Sequence, residues 1–341
     1  MSSLLKMPND REISGTDVCT HLAAGLSESS RNTALIELID AITQAAIPLG
    51  RRLALGHLPG NPADVVGVND SGDRQKALDF GAHQHLLSAV SACSVRSVLS
   101  EEAEEVIAIS AQGEFDLAID PIDGSGSIGI GAPLGLLFAI FPAGESFLRS
   151  GRDTVAAGYI SFGHSTDLGV SVGRGLSLAT LDMYSNRFRV TRESVTLPRQ
   201  TTMVAYNASN IRHLPIGLQQ YLGDLIAGSE GPAGKNYNMR WLAAAVGELH
   251  RIVLQGGIFM YPGDSRPGFE NGHLRLIYEA FPIAWLIEQA GGLATDGLGS
   301  ILDKVPASLH EKTPLLFGSA EEIQRIKGYF LDAPSAGNRN R

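Results

Sequence analysis

The sequence predicts a mixed α/β protein of about two domains. Its 341 residues are enough to bury a large core and exceed the usual size of a single domain. Two helical patterns come first, a long run of strand patterns follows, and helices alternate with strands in the last third. The composition, with 44% hydrophobic and 18% charged residues, is that of an ordinary globular protein.

The first region contains two helices and most of the strands. Apolar residues recur at helical spacing in "NTALIELIDAITQAAIPLGRRLA" and in "DRQKALDFGAHQHLLSAVSAC". From there to about Pro198, short apolar runs separated by turn residues indicate strands, among them "VRSVLSEE", "EFDLAIDP", "GLLFAIF" and "TVAAGYISFG". We therefore predict an N-terminal domain over residues 1–198.

The second region begins with another strand, "TTMVAYNAS", so we place the domain boundary near residues 197–201. "MRWLAAAVGELHRIVLQ" is helical, "GGIFMYP" is a strand, and "LRLIYEAFPIAWLIEQAGG" is a helix closed by glycine. These elements predict a C-terminal domain over residues 199–330. The polar ending "DAPSAGNRNR" predicts a disordered tail over residues 331–341.

Charge and cysteine content exclude several classes of function. The formal net charge is −9, which argues against a general nucleic-acid or anionic-membrane surface. A phosphorylated ligand therefore needs local positive charge, from metal ions or a few placed arginines. Two cysteines form neither a disulfide framework nor a zinc site, and "MSSLLKMPNDRE" is not typical of a signal peptide. The stretch "LGLLFAIF" is too short to span a bilayer, so we expect a cytoplasmic protein.

Two aspartates stand three residues apart at the end of an apolar strand, in "IDPIDGSGSIGIG". Pro121 has no backbone donor and restricts Asp120 to extended conformations, so Asp120 and Asp123 do not share a regular helix face. Glycine and serine follow, and their backbone N–H groups are suited to a phosphate. The motif is typical of a metal ion above a phosphate cradle, but the same residues dominate ordinary turns.

Other carboxylates recur at the ends of predicted elements. Asp73 and Asp79 flank a loop-to-helix junction in "NDSGDRQKALD", and Glu101 and Glu102 follow a strand in "VLSEEAEE". Glu279 lies on a helix with apolar surroundings. Taken singly, each has an ordinary explanation. Asp73 could be a helix N-cap, the glutamates of "EEAEE" a solvated edge, and Glu279 a polar position on an amphipathic helix.

In combination, the motifs resemble class I fructose-1,6-bisphosphatase from about residue 30 to residue 325. The matching segments are "SGDRQKALD", "LSEE", "DPIDGS", "NGHLRLIYE" and "IEQAGGLATDG". "YEAFPIA" lacks the Trp-Asp-x-Ala motif of the related inositol monophosphatases. The resemblance implies a layered α/β sandwich, with two mixed sheets between helix layers and the active site between the two halves. It also implies a homotetramer, with a dimer as the alternative.

The resemblance implies a metal-dependent hydrolysis. It assigns the backbone carbonyl of Ile122 and five carboxylates to the metal ions: Asp73, Glu101, Asp120, Asp123 and Glu279. Because these are hard oxygen ligands, we expect two or three Mg²⁺ ions per subunit, with Mn²⁺ as an alternative and zinc disfavoured. Glu102, with Asp79 behind it, resembles the pair that accepts the proton of the attacking water. Asp73 is assigned to this catalytic group in addition to its assignment as a metal ligand.

The substrate would be a sugar bisphosphate held at both ends. The loop residues Gly124, Ser125 and Gly126, together with Asp123, would bind the 1-phosphate that is cleaved. By position, five further residues match the family's pocket for fructose and the 6-phosphate: Asn207, Arg240, Tyr261, His273 and Arg275. Arg240 resembles an arginine that reaches a neighbouring subunit, the alternative being a plain surface charge.

Several departures from the family pattern leave the substrate and the regulation open. His273 stands where the family has a lysine, and Asn210 and Trp241 stand where it has tyrosines. Sedoheptulose 1,7-bisphosphate is therefore a second candidate substrate, ahead of an inositol phosphate or an inactive paralogue. Glu114 and Phe115 replace the Lys-Tyr pair of AMP-inhibited members, so we expect weak or absent AMP inhibition. Gluconeogenesis and the Calvin cycle both remain open as pathways.

Overall fold

The computed structural model describes residues 13–68, 74–242 and 244–332. The helices in these ranges are α1 Val18–Ala24, α2 Ser30–Ala54, α3 Ala77–Val90, α4 Ile216–Ala227, α5 Ala245–Gln255, α6 Phe281–Gln289 and α7 Ala320–Asp332. The strands are β1 Val65–Val68, β2 Arg74–Lys76, β3 Val95–Ser100, β4 Ile107–Ala108, β5 Phe115–Asp123, β6 Leu134–Pro142, β7 Ala156–Phe162, β8 Thr166–Ser171, β9 Leu176–Asp182, β10 Arg187–Val195, β11 Met203–Ala205, β12 Asn238–Met239, β13 Ile258–Tyr261, β14 Leu274–Arg275, β15 Leu293–Thr295, β16 Lys312–Thr313 and β17 Leu315–Gly318.

The larger sheet has eight strands in the order β10-β9-β8-β7-β6-β5-β3-β4. It is mixed, because β3 and β5 run parallel while the other pairs are antiparallel. Alternate residues of β6 enter different cores: Leu136 and Phe138 pack with α2 and α3, whereas Leu137 and Ala139 pack with α5 and α6. Burial on both faces explains why "LGLLFAIF" is a continuous apolar run.

The smaller sheet has five strands in the order β12-β11-β13-β17-β15 and is also mixed. Phe259 and Phe317 face the core that contains α5 and α6, and Ile258 and Leu316 face the core with α4 and α7. Helices α5 and α6 therefore lie between the two sheets. This arrangement of helix layers around two mixed sheets confirms the layered α/β sandwich expected from the sequence.

Helix α2 is long and apolar enough, by length and composition alone, to cross a membrane. In this fold, 56% of the most apolar 18-residue stretch of α2 is buried inside the protein. Leu38, Ile39 and Ile42 are fully buried in the core on one face of the larger sheet. Packing within the protein therefore accounts for the apolar character of α2.

Helix α7 extends slightly beyond the predicted end of the ordered chain. The sequence predicts disorder from residue 331, whereas α7 continues to Asp332. Ile323 and Ile326 are buried against α4, and Phe330 continues the same apolar spacing, which keeps the helix packed. The rest of the predicted tail, residues 333–341, lies outside the described residues.

Candidate active site

Strand β5 contains a bulge that brings two aspartates to one side. In a regular strand, residues three apart point to opposite faces. Here Asp120 lies opposite Leu137 while Asp123 lies opposite Gly135, so three steps along β5 face two along β6. The extra residue turns Asp123 toward the side of Asp120, and Pro121 lies where the ladder is interrupted. The sequence predicts a strand that ends at Asp120; the bulge extends it to Asp123.

Three buried carboxylates meet at this bulge. Asp120, Asp123 and Glu279 each place an oxygen within 4.8 Å of the other two. Glu101, directly after β3, shares a hydrogen bond with Asp120. Ile122 is buried within the bulge, and its N–H donates to Asp120 Oδ1 at 2.9 Å. The structure therefore brings together the predicted metal ligands that it describes.

A π-helical turn places Glu279. The sequence predicts one regular helix here, but Leu276–Ala280 forms a π turn before α6 begins. Such turns are frequent at functional sites because they widen the helix and redirect a side chain. Glu279 Oε2 accepts the N–H of Arg275 at 2.5 Å, which fixes the carboxylate.

The electrostatics of the cluster fit a divalent cation. Burial, followed by repulsion between neighbouring carboxylates, raises the pKa of Asp120 and of Glu279 well above the usual range. Burial is the main cause that raises the pKa of Glu101 to about 7 and that of Asp123 to about 6. Buried carboxylates at this separation repel one another unless a cation neutralises them, and oxygen ligands suit Mg²⁺ or Mn²⁺.

A second pair of acids lies next to the cluster. Asp79 is buried in the first turn of α3, and its Oδ1 has no hydrogen-bond partner among the described residues. Burial, then repulsion from Glu102 and Glu101, raises the pKa of Asp79 to about 7. The N–H of Glu102 donates to Ser100 Oγ at 3.3 Å. Asp79 and Glu102 thus influence each other electrostatically, as expected of neighbouring acids, while Asp73 lies outside the described residues.

The glycine loop follows the cluster directly. Gly124 has a left-handed φ of +82°, and a Cβ there would come within 2.8 Å of the Ala244 Cβ. Glycine is therefore required for both conformation and space. Ser125–Ser127 forms a 3₁₀ turn, and Gly126 within it faces open space. The turn therefore lies directly after the carboxylates, where a glycine- and serine-rich loop is suited to a phosphate.

Asp123 also joins the two halves of the chain. Its Oδ2 accepts the N–H of Val246 at 2.7 Å, at the start of α5. A carboxylate at this position satisfies a free backbone donor and interacts favourably with the helix dipole. Sequence reasoning missed this contact because 123 positions separate the two residues.

Lys76 was also missed, although it stands inside a motif that the sequence highlights. Its Nζ donates to the carbonyl of Ser125 at 2.5 Å. Its charge also opposes the rise in the pKa of Asp79. Lys76 therefore connects the glycine loop with Asp79, and its position three residues before this buried acid was the available signal.

A small cavity with a volume of about 20 Å³ lies beside the smaller sheet. It includes two of the predicted substrate residues, Asn207 and Tyr261, together with Asn210. His273 is exposed and stacks on Tyr261, with ring centres 5.2 Å apart. Trp241 makes an edge contact with Tyr261 at 6.1 Å. These aromatic rings form a wall on which a sugar could rest.

The two arginines predicted for the substrate, Arg240 and Arg275, do not line this small cavity. Arg240 is exposed and donates to the carbonyl of Met239 at 2.9 Å. Arg275 pairs with Lys312 across β14 and β16, and its charge acts on Glu101 and Glu279. Arg275 therefore lies toward the carboxylate end of the site, because it ends β14 and directly precedes the π turn that carries Glu279.

His310 connects two segments of the carboxylate cluster and was not anticipated. Its Nδ1 lies 3.0 Å from the hydroxyl of Tyr278, the neighbour of Glu279. Its Nε2 lies 2.9 Å from the carbonyl of Glu104, in the loop after Glu101. Because that carbonyl only accepts, Nε2 carries a proton and donates. No local pattern in the sequence indicates this contact between distant loops.

Comparison with known proteins places this site in a family. Residues 28–193 match the model of the fructose-1-6-bisphosphatase N-terminal domain, and residues 197–330 match that of its C-terminal domain. The chain is 48% identical over 331 residues to the fructose-1,6-bisphosphatase class 1 of Brucella anthropi, covering 96% of this chain and 97% of the relative. The corresponding protein of Brucella suis is 48% identical over 332 residues, covering 97% and 98%.

Solved structures agree with the sequence relatives. The holo form of Leishmania major fructose-1,6-bisphosphatase superposes with a TM-score of 0.86 at 26% identity, covering 93% of this chain and 99% of that one. The apo form gives a TM-score of 0.82 at 25% identity, with the same coverage. With both domain models matched, close relatives at full length and the same fold, the chain belongs to the fructose-1,6-bisphosphatase family, class 1.

Proposed function

We propose that this chain hydrolyses the 1-phosphate of D-fructose 1,6-bisphosphate, giving fructose 6-phosphate and phosphate, with divalent cations at the carboxylate cluster. Membership of the family supports the reaction and the substrate. The observation that carries the metal assignment is the set of three buried carboxylates within 4.8 Å of one another. We propose two or three Mg²⁺ ions, with Mn²⁺ as an alternative.

The proposed mechanism divides the site between cation binding and proton transfer. Asp120, Asp123, Glu279 and Glu101, with the carbonyl of Ile122, would hold the cations. When bound, such cations offset the charge of the phosphate and acidify water, so that a nucleophile is present at neutral pH. Every other step is performed by protein groups that orient the substrate or accept the proton.

Protein groups supply the proton acceptor and the orientation. A Glu102 carboxylate oxygen accepts the proton of the attacking water, and Asp79, buried behind it, shares that proton because its pKa is raised. Gly124, Ser125 and Gly126 hold the 1-phosphate in line with the water. Gripping the substrate at both ends reduces the freedom lost at the transition state.

Phosphate release from a panel of substrates tests this proposal. With Mg²⁺, we expect fructose 1,6-bisphosphate to be preferred over inositol 1-phosphate by at least about a hundredfold in kcat/KM. A preference for inositol 1-phosphate would contradict the substrate assignment. Release that stays at background with both Mg²⁺ and Mn²⁺ would instead indicate an inactive paralogue.

Sedoheptulose 1,7-bisphosphate is a second candidate substrate. Asn210 lines the cavity beside Tyr261 and Trp241 contacts Tyr261, so neither position has the tyrosine expected from the family resemblance. The ratio of kcat/KM for the two bisphosphates tests this. A ratio within tenfold supports a dual enzyme, and no measurable release from sedoheptulose 1,7-bisphosphate argues against one.

We also propose a homotetramer in the cytoplasm. β12 is an edge strand with exposed residues, and Arg240 directly after it is exposed, so this edge is accessible to a neighbouring subunit. Both cysteines are free, as expected in a reducing compartment. Sedimentation velocity should give four times the chain mass of 36.2 kDa, whereas a monomer would contradict the assembly.

A further inference from the structure

We propose that His310 is a positioning residue, which holds the loop that begins with Glu101 against the π turn that carries Glu279 and thereby sets the affinity of the cluster for divalent cations. The inference rests on the proposed function and adds a residue that neither the motifs nor the resemblance assigned. Three observations carry it: the two hydrogen bonds of the imidazole, the attachment of its backbone to the π turn, and the division of the carboxylates between the two halves of the chain.

Both nitrogens of the His310 imidazole are hydrogen-bonded. Nε2 donates to the carbonyl of Glu104 at 2.9 Å, and Nδ1 lies 3.0 Å from the hydroxyl of Tyr278. Because Nε2 carries the proton of the neutral imidazole, Nδ1 accepts and the hydroxyl of Tyr278 donates. Tyr278 is fully buried, and its ring meets the edge of the imidazole with ring centres 5.8 Å apart. These contacts fix the imidazole in one tautomer and one orientation.

The backbone around His310 is bound to the start of the π turn. Strand β16, which follows His310 closely, pairs with β14, which leads into the turn. The N–H of Leu276 donates to the carbonyl of Glu311 at 2.8 Å. Arg275 Nη1 donates to the carbonyl of His310 at 3.3 Å, and the N–H of Arg275 donates to Glu279. His310 therefore belongs to the same hydrogen-bonded unit as the segment that positions Glu279.

The cluster takes its carboxylates from both halves of the chain. Glu279 comes from the C-terminal half, whereas Glu101 directly follows β3 in the N-terminal half. The N–H of Glu101 donates to the carbonyl of Ile119 at 3.1 Å, so β5 anchors the loop at its start. Three residues further on, Glu104 is exposed, and its carbonyl is bonded to His310, 206 positions away in the chain. The loop is thus anchored on β5 at one end and on the C-terminal half at the other.

Loss of the imidazole would remove the second anchor. The loop would keep its bond to β5 but would gain freedom relative to the π turn. A bound cation would then have to order the loop itself, and that ordering lowers the affinity for the cation. Residues that hold a metal ligand in place without touching the metal typically change metal affinity by about 10- to 100-fold when they are replaced. We expect His310 to act in this range.

Mn²⁺ binding to chelator-treated protein, measured by electron paramagnetic resonance, tests the inference without relying on activity. We expect His310→Ala to raise the Mn²⁺ dissociation constant at least about tenfold. The Mg²⁺ concentration for half-maximal phosphate release should rise by the same factor, with kcat at saturating Mg²⁺ changed less than about threefold.

Two amide variants separate positioning from packing. His310→Gln should recover most of the Mn²⁺ affinity, because a glutamine amide nitrogen reaches the place of Nε2 and can donate to the carbonyl of Glu104. His310→Asn should bind Mn²⁺ as weakly as His310→Ala, because its amide reaches only the place of Nδ1. If His310→Ala does not fold, this comparison of the two amides decides the question.

His21→Ala is the matched control. His21 Nε2 lies 3.0 Å from Ser177 Oγ, and this contact joins α1 to β9, four strands from β5 in the larger sheet. Its Mn²⁺ dissociation constant should stay at the wild-type value. An unchanged constant in a folded His310→Ala protein would overturn the inference, as would equal affinities of His310→Asn and His310→Gln. A wild type that releases no phosphate from fructose 1,6-bisphosphate would overturn the proposed function instead, and the Mn²⁺ constants would still decide the role of His310.

Discussion

Asp120 serves the fold and the chemistry with the same carboxylate. Its Oδ1 accepts the N–H of Ile122 and stabilises the bulge, while its burial places it against Glu101, Asp123 and Glu279. The sequence was sufficient to nominate these acids, because residue type and chain order are local information. It was not sufficient for His310, whose contacts with Tyr278 and with the carbonyl of Glu104 join segments far apart in the chain.

The substitution Asp120→Asn separates the two roles. It keeps the size of the side chain but removes one negative charge from the cation site. We expect turnover at saturating Mg²⁺ to fall at least about a hundredfold, or about 2.7 kcal/mol at ~1.36 kcal/mol per factor of ten. Thermal melting in chelator should be unchanged or slightly improved, because one like-charge repulsion is lost. Near-normal turnover would mean that Asp120 is only a turn residue and would contradict its assignment as a metal ligand.

At the level of elements, the site depends on irregular segments. The β5 bulge, the left-handed Gly124 and the π turn before α6 each direct a functional group that a regular element would not. Sequence periodicity predicts the regular parts of these elements and misses the irregularities. The bulge depends on the register with β6, and the contact of Asp123 with α5 joins segments far apart in the chain.

Gly124→Ala tests the glycine requirement. The left-handed conformation costs an alanine about 1 kcal/mol, and its Cβ would meet Ala244 at the start of α5 at 2.8 Å. We expect a fall in the melting temperature of several degrees. Gly126→Ala is the control, since a Cβ there meets nothing within 4 Å and stability should stay close to wild type. Equal stability of the two variants would contradict this account of the loop.

At the scale of the whole molecule, the fold concentrates negative charge where its two halves meet. The layered sandwich was expected from the family resemblance that the motifs carry, and the predicted order of helices and strands agrees with it. The position of α5 and α6 between the sheets was not predictable, since it depends on which faces pack together. This placement brings Glu279 and the start of α5 to the end of β5.

The charge concentration predicts how stability without metal depends on pH. The pKa of Glu101 rises from 4.5 to about 7 and that of Asp123 from 3.8 to about 6, so the folded state binds protons more tightly than the unfolded chain. Their contribution to stability is therefore complete below about pH 4 and is lost as the pH rises to about 7. We expect the chelated protein to melt lower at pH 8 than at pH 5.

Scanning calorimetry in chelator, with and without excess Mg²⁺, measures this effect. Mg²⁺ should restore the melting temperature at pH 8 and have less effect at pH 5, where protons compete for the carboxylates. In chelator, Asp120→Asn should reduce the difference between the melting temperatures measured at pH 5 and at pH 8. A chelated wild type that is more stable at pH 8 than at pH 5 would contradict the description of the cluster.

The central claim is that the buried carboxylates hold the cations on which hydrolysis depends. The most direct measurement is phosphate release from fructose 1,6-bisphosphate by chelator-treated protein titrated with Mg²⁺, for wild type, Glu279→Gln and Glu288→Gln. Glu288 lies on α6 outside the cluster, paired with Arg152. We predict recovery of the wild type and Glu288→Gln at the same Mg²⁺ concentration, and less than about one per cent of wild-type turnover for Glu279→Gln. Full activity in chelator, or a Glu279→Gln titration that coincides with wild type, would contradict the claim.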